Sequence, residues 1–181
     1  MVVWFDATFD QDGQVQSLTP VNESEQPEGF WSQMKSRLQK AKIPPVKDGD
    51  APATFRTGMR LQLAVNKADN TVGIRHMALV PIPTTIYYAS YPKDASANAG
   101  WSGELKATCR VGVDGLCSEI VVTAPAGMPE SVRRFGKASM AGWRFQPQQV
   151  NGKPVEGEYV MLMHLNTTDD MPVDFRDPRK L

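Results

Sequence analysis

Residues Val2 to Phe9 alternate imperfectly between apolar and polar and are rich in β-formers, and Val15 to Val21 resume that pattern after Gln11-Asp12-Gly13. Two such runs around a turn predict a β-hairpin. Asp10-x-Asp12-Gly13 resembles a fragment of a calcium loop, but no later Glu completes it, so it reads as a turn. After the polar stretch Asn22 to Gln26, Pro27 suits a first helical position. Phe30, Met34 and Leu38 then recur at i, i+4 and i+8, with Trp31 widening the apolar stripe. This spacing predicts a helix running to Ala41 and stopped by Pro44-Pro45. A loop with Asp48-Gly49-Asp50 leads to a predicted strand, Gly58 to Val65. Lys67 to Asn70 reads as a turn and Val72 to Val80 as another strand.

Residues 81–92 carry Pro81, Pro83 and Pro92 with Tyr87, Tyr88 and Tyr91, and read as an extended linker. Asp94 to Ala99 suggests a short helical turn. Gly103 to Val111 and Leu116 to Thr123 flank Val113-Asp114-Gly115 and predict a second hairpin. Ala124 to Pro129 is a loop. Glu130 to Gly142 is a predicted helix with Val132, Phe135 and Ser139 on its core stripe, and Trp143 and Phe145 lead out of it to Pro147. Asn151-Gly152 makes a turn, Glu158 to Asn166 a last strand, and Thr167 to Leu181 a loosely held tail.

The order hairpin, helix, loop, strand thus occurs twice. Asp12-Gly13 matches Asp114-Gly115, Ala7-Thr8 matches Ala107-Thr108, and Ile43-x-Pro45 matches Phe145-x-Pro147. Gly49-Asp50-Ala51-Pro52 matches Gly152-Lys153-Pro154, and Met59 to Val65 matches Tyr159 to Leu165. The expected fold is α+β: two tandem small modules, each an antiparallel sheet (hairpin plus closing strand) packed by one helix. The expected domains are residues 1–80, a linker at 81–92, residues 93–166 and a tail at 167–181.

Composition sharpens this picture little. The 41% apolar and 22% charged fractions are ordinary for a globular protein, and 20 Lys+Arg balance 20 Asp+Glu, so no net field steers the chain to nucleic acid or an anionic membrane. No apolar run approaches the roughly 18 residues needed to cross a bilayer. Met1-Val-Val-Trp-Phe-Asp lacks a basic n-region and a cleavage site, which fits a cytoplasmic chain or a mature one whose leader or anchor has been removed. The two cysteines, Cys109 and Cys117, sit on opposite arms of one predicted hairpin, where cross-strand spacing suits a disulfide. Two reduced cysteines packed as small hydrophobes are the alternative. A disulfide implies an oxidising compartment.

One combination of residues is more specific. Tyr91-Pro92 with Ala95 beyond it, Gly103, Asp114-Gly115 and Val121-Val122 are followed by Trp143-Arg144-Phe145-x-Pro147 and Asn151-Gly152-x-Pro154-Val155. In order and spacing, residues 91–165 resemble the C-terminal domain of TonB, the energy transducer of Gram-negative bacteria, with about one extra residue before Gly103. The first half is similar only through the repeat, so the whole resembles two-module TonB-like energy transducers. The resemblance implies a periplasmic location and a protein partner, such as the TonB box of an outer-membrane transporter, added as a β-strand beside the last strand. Carried over, the partner-binding residues are Ser90 and Tyr91, with Glu158, Tyr159, Val160, Met161, Leu162, Met163, His164 and Leu165. It leaves homodimerisation and an inner-membrane anchor beyond these residues open. A standalone periplasmic adaptor or inhibitor/immunity-type interaction protein is the alternative. No motor-coupling segment or long Pro/Lys-rich spacer lies in these residues.

Chemistry of other kinds finds little purchase. His76 and His164 are the only histidines; His164 falls on the strand face alternate to Tyr159, Met161, Met163 and Leu165 and reads as an exposed or hydrogen-bonded strand histidine. No Gly-x-Ser-x-Gly elbow, phosphate loop or His-Glu-x-x-His is present. Asp169, Asp170, Asp174 and Asp177 read as a solvated tail cluster, Arg133-Arg134 as a solvated helix face, and Trp143, Met161 and Met163 as core. The expectation is a binding module rather than an enzyme, without cofactor or metal.

Overall fold

The computed structural model describes residues 1–21, 28–66, 71–92, 101–123 and 126–166. The expected turns at Lys67 to Asn70 and Asp94 to Ala99, and the tail from Thr167, lie outside these residues. So do Asn22 to Gln26 and Pro27 at the expected helix start. Among these residues the fold is α+β, mostly antiparallel sheet with two helices. It divides into two compact units. Unit 1 is Met1–Ile82 together with Pro147–Val155; unit 2 is Pro83–Gln146 and the chain from Glu156.

In unit 1, β1 (Val2–Phe9) and β2 (Val15–Pro20) form the expected hairpin, with a bulge between Thr8 and Phe9. Strict alternation along β1 turns Val3, Phe5, Ala7 and Phe9 inward. The carboxylate of Asp10 accepts hydrogen bonds from the N–H groups of Asp12 and Gln14, so the calcium-like fragment is a turn. Helix α1 (Glu28–Leu38) lays Trp31, Met34 and Leu38 on this face, Phe30 packing beside them. Trp31 meets Phe5 edge-on at 5.3 Å between ring centroids. A small hairpin, β3 (Val46–Asp48) with β4 (Ala51–Ala53), leads to the long β5 (Phe55–Asn66).

Strand β5 pairs with β1 from Phe55 to Gln62. Its other edge is taken by β6 (Thr71–Val80) from Gly58 to Asn66, and by β11 (Gln148–Val150) at Phe55 and Arg56. Strand β11 forms a hairpin with β12 (Lys153–Val155). Asn151, at its tip, exchanges backbone and side-chain hydrogen bonds with Thr54 and donates to Asp48. Gln148 donates to the buried Thr57 hydroxyl at 2.7 Å. Arg56 and Asp6 are ion-paired across β5 and β1; hydrogen bonding to Asp6 raises the Arg56 pKa against the opposing effect of desolvation. The hairpin Pro147–Val155 therefore belongs to unit 1, although the sequence places it in the second module.

In unit 2, β8 (Ser102–Val111), β9 (Cys117–Thr123) and β13 (Gly157–Asn166) form, among the described residues, a three-stranded sheet in the order β13-β8-β9. Helix α2 (Glu130–Gly142) matches the predicted range and buries Val132, Phe135, Ser139 and Met140. Trp143, Phe145 and Tyr159 form an aromatic cluster with centroid separations of 4.8–6.0 Å. Strand β10 (Arg144–Gln146) pairs with β7 (Ile82–Thr85), so the stretch read as a linker contains a strand. That stretch is extended, as its prolines require, but it is also held. Pro81 and Pro92 are buried. The Trp143 indole N–H donates to the Tyr87 carbonyl at 2.9 Å, and the Ala89 N–H to the Ser139 hydroxyl at 3.0 Å.

The two units repeat the same internal register. Each pairing of β1 with β5 recurs 102 residues further on in β8 with β13: Phe5 faces Met59 as Ala107 faces Met161, and Phe9 faces Phe55 as Val111 faces Gly157. The turn glycines repeat too. Gly13 (φ +78°) accepts a hydrogen bond from Ile43 N–H, and Gly115 (φ +76°) accepts one from Phe145 N–H. At both glycines a Cβ would overlap the carbonyl of that same partner, so only glycine fits. On this register Phe5, not Ala7, stands at the position of Ala107, and Met59 stands at Met161 rather than Tyr159. Those two sequence matches are two residues out of step, because a period-two strand pattern tolerates a shift of two without changing face.

Candidate partner-binding site

Strand β13 is the terminal strand of its sheet among the described residues, ten residues long and paired to β8 on one side from Gly157 to Asn166. Its length follows from its composition: Tyr159, Val160, Met161, Leu162, Met163 and Leu165 include aromatic and β-branched residues suited to a pleated surface. Tyr159, Met161 and Leu165 are buried on the α2 side, and Met163, on the same face, is half-buried. Glu158, Leu162 and His164 point outward and are exposed, Leu162 by 54%. A sheet edge presents main-chain donors and acceptors in a row, the feature that strand addition uses.

Ser90 is exposed, while Tyr91 is half-buried and donates its hydroxyl to the Asn166 carbonyl at 3.0 Å. The segment around Tyr91-Pro92 is thereby fastened to the far end of β13, which brings the two parts of the sequence-derived site together. Val121, 55% exposed, lies on β9 opposite Thr108, the β8 partner of Val160. It extends the outward face; in the sequence it was marked by a predicted strand and by the Val121-Val122 pair, not as a binding residue.

An open recess of about 490 Å³ lies at the Gly157 end of β13, lined by Thr108, Cys109, Arg110, Glu119, Glu156, Gly157 and Glu158. Arg110 reaches Glu119 at 3.2 Å and Glu156 at 3.9 Å, and all three side chains are more than half exposed, so these pairs are weak in water. Glu119 adopts φ +50° at the bulge where β9 shifts register against β8. Beside the recess, Cys109 and Cys117 form a disulfide with 5.6 Å between their Cα atoms. Cys109 is buried and faces Tyr159 on β13, so the cross-link braces the strand that supports the edge. Of the recess residues outside β13, the sequence singled out Cys109 for a disulfide and Thr108 for the repeat; Arg110, Glu119 and Glu156 are ordinary surface charges until the bulge gathers them.

Strand β5, at the matching place in unit 1, has both edges occupied, β6 and β11 lying along the one opposite β1. His76 lies exposed on β6 and His164 on β13. Among the described residues no group of three or more His, Cys, Asp or Glu is arranged to hold a metal ion, and no helix is long and apolar enough to cross a membrane. Compared with known proteins, the chain matches no family model and no curated protein.

Proposed function

We propose that this chain is a TonB-like, periplasmic protein-binding module that takes an extended segment of a partner as an added strand along β13. The partner class is an outer-membrane transporter presenting a TonB box or a similar segment. The observation that carries this reading is the ten-residue β13, the terminal strand of the β13-β8-β9 sheet among the described residues. Three further points support it: the residues of 91–165 that resemble the TonB C-terminal domain, the tie from Tyr91 to the end of β13, and a disulfide compatible with an oxidising compartment. The common register of β1–β5 and β8–β13 supports reading the chain as a duplicated module. In that reading the first copy has its edge filled by β6, and partner binding belongs to the second.

The test places a photo-crosslinking residue at His164, at Leu162, or at Arg134 on α2, and exposes each protein to outer-membrane and periplasmic extracts. Cross-links to a partner are expected from the two β13 positions and not from Arg134. Cross-linking from Arg134 alone, or none from β13, removes the proposal.

A further inference from the structure

Strand β6 (Thr71–Val80) is a terminal strand of the unit 1 sheet among the described residues, where its strand partner is β5 alone. Its middle is bare. Gly73, Ile74, Arg75, His76 and Met77 are all exposed, Ile74 by 43% and Met77 by 40%. Two carbonyls near its ends are engaged: Val72 accepts from the Arg37 guanidinium at 2.8 Å, and Val80 from the Thr57 hydroxyl at 3.3 Å. A long terminal strand with exposed apolar side chains is a template for pairing with another chain.

The register on β5 assigns the faces of β6. Leu79 stands opposite Met59, Met77 opposite Leu61 and Ile74 opposite Leu63, so these three lie on the side that β5 turns to the core. Leu79 and Val72 pack against that core. Ala78, His76 and Gly73, opposite Arg60, Gln62 and Ala64, lie on the outer side. Arg75 is the extra residue of the bulge at the Gln62/Leu63 step. In a regular strand, residues equally far from the midpoint between two neighbours fall on opposite faces. The bulge reverses this for β6. Outward from the Arg75–His76 step, Ile74 and Met77 share the core face, Gly73 and Ala78 the outer face, and Val72 and Leu79 the core face again. The strand therefore presents the same order of faces in both directions.

We infer that two copies of this chain associate through β6, antiparallel about a two-fold axis at the Arg75–His76 step. Such an axis sets residues opposite one another on the same face, which is the self-complementarity a two-fold interface requires. Ile74 of each copy then lies opposite Met77 of the other, and Gly73 opposite Ala78. The two Ile74 and two Met77 side chains meet as one apolar cluster beside each core, at the close spacing of cross-strand neighbours. At the centre, each Arg75 guanidinium donates to the His76 imidazole of the other copy. Because Arg37 already holds the Val72 carbonyl, the shared ladder is centred on Gly73–Ala78. A strand of unrelated sequence would need no such symmetry in β6, which is why the occupant is a second copy. The inference stands apart from the reading of β13.

Sedimentation of the full-length protein over a wide concentration range is expected to show a reversible monomer–dimer equilibrium. Met77→Lys and Ile74→Lys, both at exposed positions and checked for folding by their amide spectra, are each expected to weaken it by about tenfold or more, and Met77→Leu to keep it. The geometry is read by single cysteines joined with copper-phenanthroline, the native Cys109–Cys117 bond left intact. Gly73→Cys has room for its side chain. Gly73→Cys alone and Ala78→Cys alone are expected to stay uncrosslinked, while a mixture of the two gives the mixed dimer. Crosslinking of Gly73→Cys with itself means parallel pairing and overturns the inference. A monomer at every concentration overturns it, and so does a dimer that both lysine variants leave intact.

Discussion

Gly115 and Gly152 have nearly the same backbone conformation, φ +76° and +74°, and differ in what surrounds them. At Gly152 a Cβ meets nothing within 4 Å; at Gly115 it overlaps the Phe145 carbonyl. Gly152→Ala is expected to cost about 1–2 kcal/mol, the penalty of left-handed backbone for an L-residue. Gly115→Ala is expected to cost clearly more, because Phe145 N–H must also keep its hydrogen bond to the Gly115 carbonyl. Urea unfolding midpoints of the two variants provide the check, and equal losses would show that backbone conformation alone decides. The turn at Asp114-Gly115 was legible because Asp and Gly carry local turn chemistry. The approach of Phe145 was not, since nothing near Gly115 in sequence announces a neighbour so distant along the chain. Among single residues Trp143 was read correctly: its size demands burial, and it is 5% exposed with its N–H satisfied.

Among the elements, α2 was the most legible. Val132, Phe135 and Ser139 follow helical periodicity, and all three are buried. Strands β11 and β12 were the least legible. Each has three residues, Gln-Gln-Val and Lys-Pro-Val, with no run long enough to carry a period, and their place beside β5 is fixed by hydrogen bonds far along the chain. The hairpin β8–β9 stands between these cases: its arms and turn were read from sequence, and the disulfide was favoured with reduced cysteines left open. The cross-link spans a sequence separation of 8, and a loop of that size is worth about 2–3 kcal/mol in the chain-entropy account. Replacing both Cys109 and Cys117 by Ala is expected to lower the stability of unit 2 by about that amount. Amide exchange of buried β8 residues such as Leu105 and Ala107 would measure it, and unchanged rates would mean that packing alone holds the hairpin.

At the scale of the whole molecule, the chain passes between the two units three times: after Ile82, after Gln146 and after Val155. Replacing Pro147–Val155 by a flexible Gly/Ser linker is expected to speed amide exchange at Phe55 and Arg56 and to remove the Asn151 bonds to Thr54 and Asp48, with α2 protection retained. Unchanged exchange at Phe55 would show that β11 contributes nothing to that edge. The first crossing, after Ile82, falls among the prolines of residues 81–92. The return of Pro147–Val155 to unit 1 was not legible, because a reading that moves along the chain assigns each segment to its neighbours.

That return also sets an order on biosynthesis. A first unit made only of residues 1–82 has all its own strands in hand as soon as Ile82 leaves the ribosome. This one waits for Val155. At typical synthesis rates the interval between the two residues is roughly 4–15 s. Throughout it, the end of β5 at Phe55 and Arg56 is a nascent edge open to wrong partners. The charge pair of Arg56 with Asp6 and the buried Thr57 beside it make that edge a poor template for apolar strands while the hairpin is still being made.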